Sequence, residues 1–222
     1  MARLTRPSIV VNFKTYMQGS GKNSEKLAKI LARHGRKNLI LAVQNPDVYR
    51  VSKAVNLPVY AQHIDPYDPG KHTGKEEVHT LKDNGASGVL INHSEDRMDI
   101  ESIKNSVELA KKVGLTALVC IDKPGKAKSI ARLKPDMIAI EPPELIGTGI
   151  SVSKAKPSVV TKTLNAVKEV DKNIDVLCGA GISSKEDVRK AIDLGCDGVL
   201  VASAVVTAKK PGSAIKEFLS VV

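Results

Sequence analysis

The sequence predicts an α/β protein built as a closed (β/α)8 barrel. Three observations predict it: eight short apolar runs, helical patterns in the gaps between them, and no GxGxxG fingerprint after the first run, where an open dinucleotide-binding sheet would carry one. The runs are Ile9–Phe13, Leu39–Val43, Val59–Gln62, Val89–Asn92, Thr116–Ile121, Met137–Ile140, Val176–Cys178 and Val199–Val201. Each is too short for a helix and rich in β-branched residues, as expected of strands buried on both faces. Ser24–His34 (Leu27, Ile30, Leu31), Ile100–Val113 (Ile103, Val107, Ala110), Pro157–Val170 (Val160, Leu164, Val167) and a later stretch with Val188, Ala191 and Ile192 place apolar residues at helical spacing. Asn84-Gly85-Ala86-Ser87-Gly88 and Leu194-Gly195-Cys196-Asp197-Gly198 each offer one glycine to end a helix and a second to enter a strand. The 222 residues divide into eight units of about 28 residues, enough for each βα repeat. With no linker or low-complexity stretch, one domain over 1–222 is expected.

Composition narrows the function. Hydrophobic residues are 42% of the chain, which excludes a disordered polymer. Trp is absent and aromatics are 3%, so the core must be aliphatic, and a platform that stacks nucleic-acid bases is not expected. No apolar run approaches the roughly 20 residues of a membrane span, and no long apolar segment follows the basic residues near Met1. Cys120, Cys178 and Cys196 form no CxxC pair and an odd set, which suits a reducing cytoplasm. The net charge of +10 is scattered along the chain, a solvated surface that attracts small phosphorylated metabolites rather than a nucleic-acid face.

In such a barrel the chemistry sits at the C-terminal ends of the strands. The first strand ends in Asn12-Phe13-Lys14, with Asn12 and Lys14 on one side. A lysine turned into a barrel mouth needs an anion, and one on the rim needs only water; the pattern alone allows both. The fourth strand runs into Asn92-His93-Ser94-Glu95. His93 is expected at a helix start, where imidazolium is disfavoured and a neutral ring can donate a hydrogen bond. A structural histidine bonded to a carbonyl fits the same position.

The sixth strand ends in Glu141, an acid expected to be partly desolvated and therefore a stronger base. Pro142-Pro143 and then Glu144-Leu145-Ile146-Gly147-Thr148-Gly149 read as a lid, rigid at one end and permissive at the other, or as an ordinary loop. Gly179-Ala180-Gly181 after the seventh strand and Ala202-Ser203-Ala204 after the eighth let backbone N–H groups approach a phosphate. Ser183 with Glu186 has capping-box spacing and should open the next helix. His63, Asp65, Asp68, His72 and His79 cluster after the third strand, but their spacing matches no usual metal-ligand pattern.

Taken together, Asn12-Phe13-Lys14, His93-Ser94-Glu95, Glu141-Pro142 and Ile146-Gly147-Thr148-Gly149 resemble the signatures of the triosephosphate isomerase family, in that family's chain order. The later small-residue turns and the compact length resemble its archaeal branch. The resemblance implies a TIM barrel that interconverts dihydroxyacetone phosphate and D-glyceraldehyde 3-phosphate through an enediolate, in glycolysis and gluconeogenesis. It implies Glu141 as the base, His93 as the electrophile and Lys14 as the partner of developing charge and phosphate. Asn12, Phe13, Lys14, Ile146, Gly147, Gly181, Ala202 and Ser203 would bind the substrate. No metal or organic cofactor, nucleic acid or membrane is implied.

Thr73-Gly74 resembles the family's docking loop, so a homo-oligomer is expected, a tetramer before a dimer. Asn92, Glu144 and Gly181 depart from the common form, which has Gly, Trp and often Ser there. Two other classes compete: a different phosphate-ligand barrel enzyme, such as a phosphoribosyl isomerase or a synthase, and a basic nucleic-acid-binding protein. Neither accounts for the full motif set.

Overall fold

Eight parallel strands pair in chain order and the eighth closes onto the first. They are β1 (Ser8–Asn12), β2 (Leu39–Val43), β3 (Val59–Ala61), β4 (Gly88–Ile91), β5 (Thr116–Ile121), β6 (Met137–Ile140), β7 (Asp175–Cys178) and β8 (Gly198–Val201). The helices are α1 (Lys22–Ala32), α2 (Val48–Ala54), α3 (Val78–Asp83), α4 (Ile100–Lys112), α5 (Ala127–Arg132), α6 (Pro157–Lys168), α7 (Lys185–Asp193), α8 (Ser203–Val206) and α9 (Pro211–Leu219). The computed structural model describes residues 6–35, 38–142, 153 and 156–222. The lid stretch with Glu144, Ile146 and Gly147 lies outside the described residues. The closing seam pairs Ile9 with Val199 and Val11 with Val201. The eightfold alternation read from the sequence is therefore the observed barrel.

Alternation along each strand builds two cores. Val10, Ile40, Leu90, Leu118, Leu177 and Leu200 face the barrel interior with Tyr60, Met137 and Cys120. Their neighbours Val11, Leu41, Val89, Ile91, Val119 and Ile138 face outward under the helices. The core is mainly aliphatic, as the composition requires; Tyr60 and Phe13 are its largest fully buried side chains, and Phe218 is buried with them. Tyr60 lies across the start of β4, where a Cβ on Gly88 would stand 2.5 Å from its ring. At the closing seam, a Cβ on Gly198 would stand 2.2 Å from the Ser8 carbonyl oxygen. Both strand-entry glycines are thus demanded by close packing.

The N-terminal end of the barrel is held by charge. Asp136 and Asp197, each just before a strand, accept the N–H groups of Ala117 (2.8 Å) and Val176 (2.9 Å) on the neighbouring strands. Lys168 reaches Asp197 at 2.8 Å, and Arg6 pairs with Asp175. These contacts pair buried polar groups far from the strand ends where barrel enzymes carry out chemistry.

Helix ends follow the expected punctuation with two shifts. Gly85 and Gly195 close α3 and α7 with φ of 92° and 95°. The capping box of α7 uses Ser184 and Asp187, one residue later than Ser183 and Glu186. Ser183 instead sends its N–H and hydroxyl to Asp187 Oδ2, at 2.9 and 3.0 Å. The aspartate therefore gathers donors from both serines, which fixes the later start. The second shift concerns His93. The helix after it begins only at Ile100, capped by Asp99, and residues just after His93 form a turn closed by Asp96 N–H to His93 O at 2.9 Å.

Candidate active site

Strand alternation carries Asn12 and Glu141 to the barrel mouth, and Lys14 reaches it from the left-handed turn just past β1. Val10 faces inward, Val11 outward, and the sequence continues Asn12 inward and Phe13 outward. On β6 the same rule takes Ala139 inward and Glu141 inward above it. These side chains line a cavity of about 290 Å³ together with His93, Gly181, Ala202 and Ser203. The sequence-predicted residues thus meet across β1, β4, β6, β7 and β8. Phe13 is the exception: it is fully buried in the outer core and packs on Gly19, so its side chain does not reach the cavity. Its place in the motif is a packing role, set by the same alternation that turns Asn12 inward.

His93 is buried, with Nε2 3.6 Å from Glu141 Oε1. That is too long for a hydrogen bond. Its Nδ1 accepts the Glu95 N–H at 3.2 Å. Accepting this N–H leaves Nε2, on the Glu141 side of the ring, as the nitrogen placed to donate into the cavity. The helix-start argument is replaced by this single backbone amide, because α4 begins seven residues downstream.

Glu141 is 5% exposed, and its Oε2 has no hydrogen-bond partner among the described residues. A buried carboxylate oxygen left unpaired is costly, and such cost is tolerated where a reaction uses it. Two residues make room for it. A Cβ on Gly179 would stand 2.6 Å from Glu141 Cγ, so the glycine just after β7 clears space for the acid. Cys120, inside the barrel, lies beside the carboxylate. Burial first, and then the Glu141 charge, push its thiol well above the ordinary range.

Lys14 Nζ pairs with Glu95 at 2.5 Å. Asn12 Oδ1 accepts both the Lys14 N–H (2.9 Å) and Gln62 Nε2 (3.1 Å), and the Gln62 amide also donates to Lys14 O at 3.2 Å. Gln62 therefore fixes the Asn12–Lys14 turn from the end of β3. Opposite, Ala180 (φ 63°) and Gly181 (φ 70°) adopt left-handed backbone, and α8 starts at Ser203 on the cavity wall. The first N–H groups of a helix have no partner within it, which makes a helix start on a cavity wall favourable to negative charge. Lys14, Asn92 and Ala180, three of the four described non-glycine residues with positive φ, cluster around this mouth.

Sequence reasoning missed Gln62, Tyr16 and Thr207. Only Gln62 left a signal, as the polar end of an apolar strand. In the histidine and aspartate cluster after β3, His63 Nε2 stays 3.6 Å from Asp65, and further contacts tie the members to other residues. His63 Nδ1 meets Asp96 at 2.7 Å, Asp65 pairs with Lys75 at 3.3 Å, and His72 stacks on Tyr67. Among the described residues, no group of three or more histidine, cysteine or acidic side chains is arranged to hold a metal ion.

An imidazole donor, a buried carboxylate and a lysine around one cavity, beside a helix start, suit proton transfer on a small phosphorylated carbonyl compound. Comparison with known proteins decides the family. The family model for triosephosphate isomerase matches residues 7–221. The chain belongs to the triosephosphate isomerase family. It is 44% identical over 220 residues to the triosephosphate isomerase of Methanobrevibacter smithii, covering 98% of this chain and 99% of the relative. It is 48% identical over 221 residues to that of Methanothermus fervidus, covering 98% and 99%. With that of Methanocaldococcus jannaschii it shares 49% over 214 residues, covering 95% and 98%. As a member of the triosephosphate isomerase family, the enzyme is an aldose–ketose isomerase acting on triose phosphates, with the family's place in glycolysis.

Proposed function

We propose that the isomerisation runs through Glu141, His93 and Lys14. Glu141 takes a proton from C1 of dihydroxyacetone phosphate, and the electron pair moves onto the C2 oxygen. His93 Nε2–H gives its proton to the C2 oxygen and the same ring nitrogen then takes the C1 hydroxyl proton, while Lys14 Nζ stabilises the enediolate charge; Glu141 returns its proton to C2 as the C1–O bond becomes the aldehyde of D-glyceraldehyde 3-phosphate. A carbon acid next to a carbonyl is weak, so the base needs donors already aimed at the oxygen that becomes negative. The observation that carries this reading is the 3.6 Å approach of His93 Nε2 to Glu141 Oε1, with Glu141 Oε2 without a hydrogen bond among the described residues and Lys14 lining the same cavity. Asn12 holds substrate oxygens. Backbone at Gly181, Ala202 and Ser203, with the lid residues Ile146 and Gly147, binds the phosphate. No cofactor takes part in these steps.

A coupled assay on dihydroxyacetone phosphate, with a phosphate-bearing enediolate mimic as competitive inhibitor, tests this function. Turnover blocked by the mimic at concentrations far below KM is expected. Turnover of a phosphoribosyl substrate alone would move the enzyme to another branch of the barrel class.

The same reading takes 1–222 as one barrel domain working in the cytoplasm as a homo-oligomer, a tetramer before a dimer. Among the described residues no helix is long and apolar enough to cross a membrane. Met17, Tyr49 and Ile100 are apolar side chains more than half exposed. Light scattering on the purified enzyme should give four times the 23.7 kDa chain mass; a monomer would exclude a homo-oligomer.

A further inference from the structure

Strand alternation does not by itself bring His93 to the cavity. Leu90 faces into the barrel and Ile91 faces out, so position 92 would face in and position 93 out. His93 nevertheless lines the cavity. The break occurs at Asn92, whose φ of 59° is left-handed. That conformation is uncommon for a residue with a Cβ, and asparagine tolerates it better than most.

The side chain of Asn92 locks the turn. It is 4% exposed, and both ends of its amide are used. Nδ2 donates to Cys120 O at 2.8 Å, and Oδ1 accepts the Met98 N–H at 2.9 Å. Its own carbonyl accepts from Arg97 Nη1 at 3.2 Å. The amide therefore ties the His93 turn to β5 on one side and to the approach to α4 on the other. The β5 anchor is well chosen. Cys120 pairs in register with Ala139 on β6, two residues before Glu141, and its thiol lies beside the Glu141 carboxylate. One amide thus links the strand carrying the electrophile to the neighbour of the strand carrying the base.

From this geometry we infer that Asn92 is a positioning residue for the isomerisation. Its left-handed backbone turns His93 into the mouth, and its amide fixes the ring against Glu141. This rests on His93 acting as the electrophile. Asn92 bonds to Cys120, Arg97 and Met98 rather than to Gly181 or Ser203, where phosphate binding is proposed, so the effect falls on kcat rather than KM.

Four variants test it. Asn92→Asp keeps size and left-handed tolerance but turns an acceptor toward the Cys120 carbonyl. Asn92→Gly keeps the turn and deletes the amide. Asn92→Ala deletes the amide and disfavours the turn, and His93→Gln tests the underlying reading. Asn92→Asp and Asn92→Ala are expected to lose about tenfold to 100-fold in kcat with KM within about twofold, and Asn92→Gly a smaller share. Nitrogen-15 spectra of the parent should show the His93 ring protonated at Nε2, and those resonances should shift or broaden in Asn92→Asp. Folded Asn92→Asp and Asn92→Gly enzymes with parental kcat and unchanged His93 signals, alongside a crippled His93→Gln, would overturn the proposal alone. A fully active His93→Gln would overturn the role of His93 and this inference with it. If Asn92→Ala fails to fold, the Asp and Gly variants still decide.

Discussion

Replacing Glu141 with Gln is expected to lower kcat by roughly 10³-fold or more while KM changes little. The amide keeps the volume and the contact with the Cα side of Gly179 but cannot take a proton from carbon. The structure adds a second expectation, on stability. Glu141 is 5% exposed and its Oε2 makes no hydrogen bond among the described residues. An unpaired buried charge is unfavourable, so the neutral amide should leave the melting temperature unchanged or raise it. Thermal unfolding and steady-state kinetics on the same preparation read both effects. A variant that loses activity because it melts early would assign Glu141 to the fold, and near-parental turnover would remove it from the chemistry.

Lys14→Met is expected to lower kcat/KM by about 10³-fold, with weaker binding of inorganic phosphate as well. Lys14 Nζ is held 2.5 Å from Glu95, and the Lys14 turn is fixed by Asn12 and Gln62. Arriving phosphate competes with Glu95 for the ammonium group. Without the lysine, the half-exposed Glu95 carboxylate loses its cation and adds negative charge near the cavity, which disfavours an anionic substrate. Methionine fills similar volume and takes the φ of 47° at the same cost, so the fold should survive. Circular dichroism confirms folding, and phosphate inhibition separates lost binding from lost chemistry. A folded variant within tenfold of the parent would place Lys14 on the rim in water.

Much of this was legible in the residues because a parallel barrel writes its strands plainly. Strands buried on both faces must be apolar throughout, and Leu39–Val43, Thr116–Ile121 and Met137–Ile140 begin and end where the pattern does. The short helices α2, α3 and α5 carry six or seven residues, too few for a 3.6-residue period to declare itself. At the site, alternation carried Asn12 and Glu141 inward, and Lys14 reaches the cavity from the left-handed turn just past β1. What alternation could not give depends on neighbours distant in the chain. Gln62 serves β1 from β3, Cys120 sits against Glu141 from β5, and Gly179 leaves space for an acid 38 positions earlier. Asn92 was visible only as an oddity before the histidine; the left-handed turn it supports is a property of the folded backbone. Phe13 shows the opposite error, since membership of a motif does not say which face a side chain takes.

The crystal structure of the enzyme with a phosphate-bearing enediolate mimic tests convergence of the three groups most directly. His93 Nε2 and Lys14 Nζ should donate to the enediolate oxygens, with a Glu141 oxygen over the carbon edge and the phosphate against Gly181 and Ser203. A mimic bound in this cavity with the imidazole, carboxylate and ammonium turned away from it, or bound elsewhere, would contradict the account.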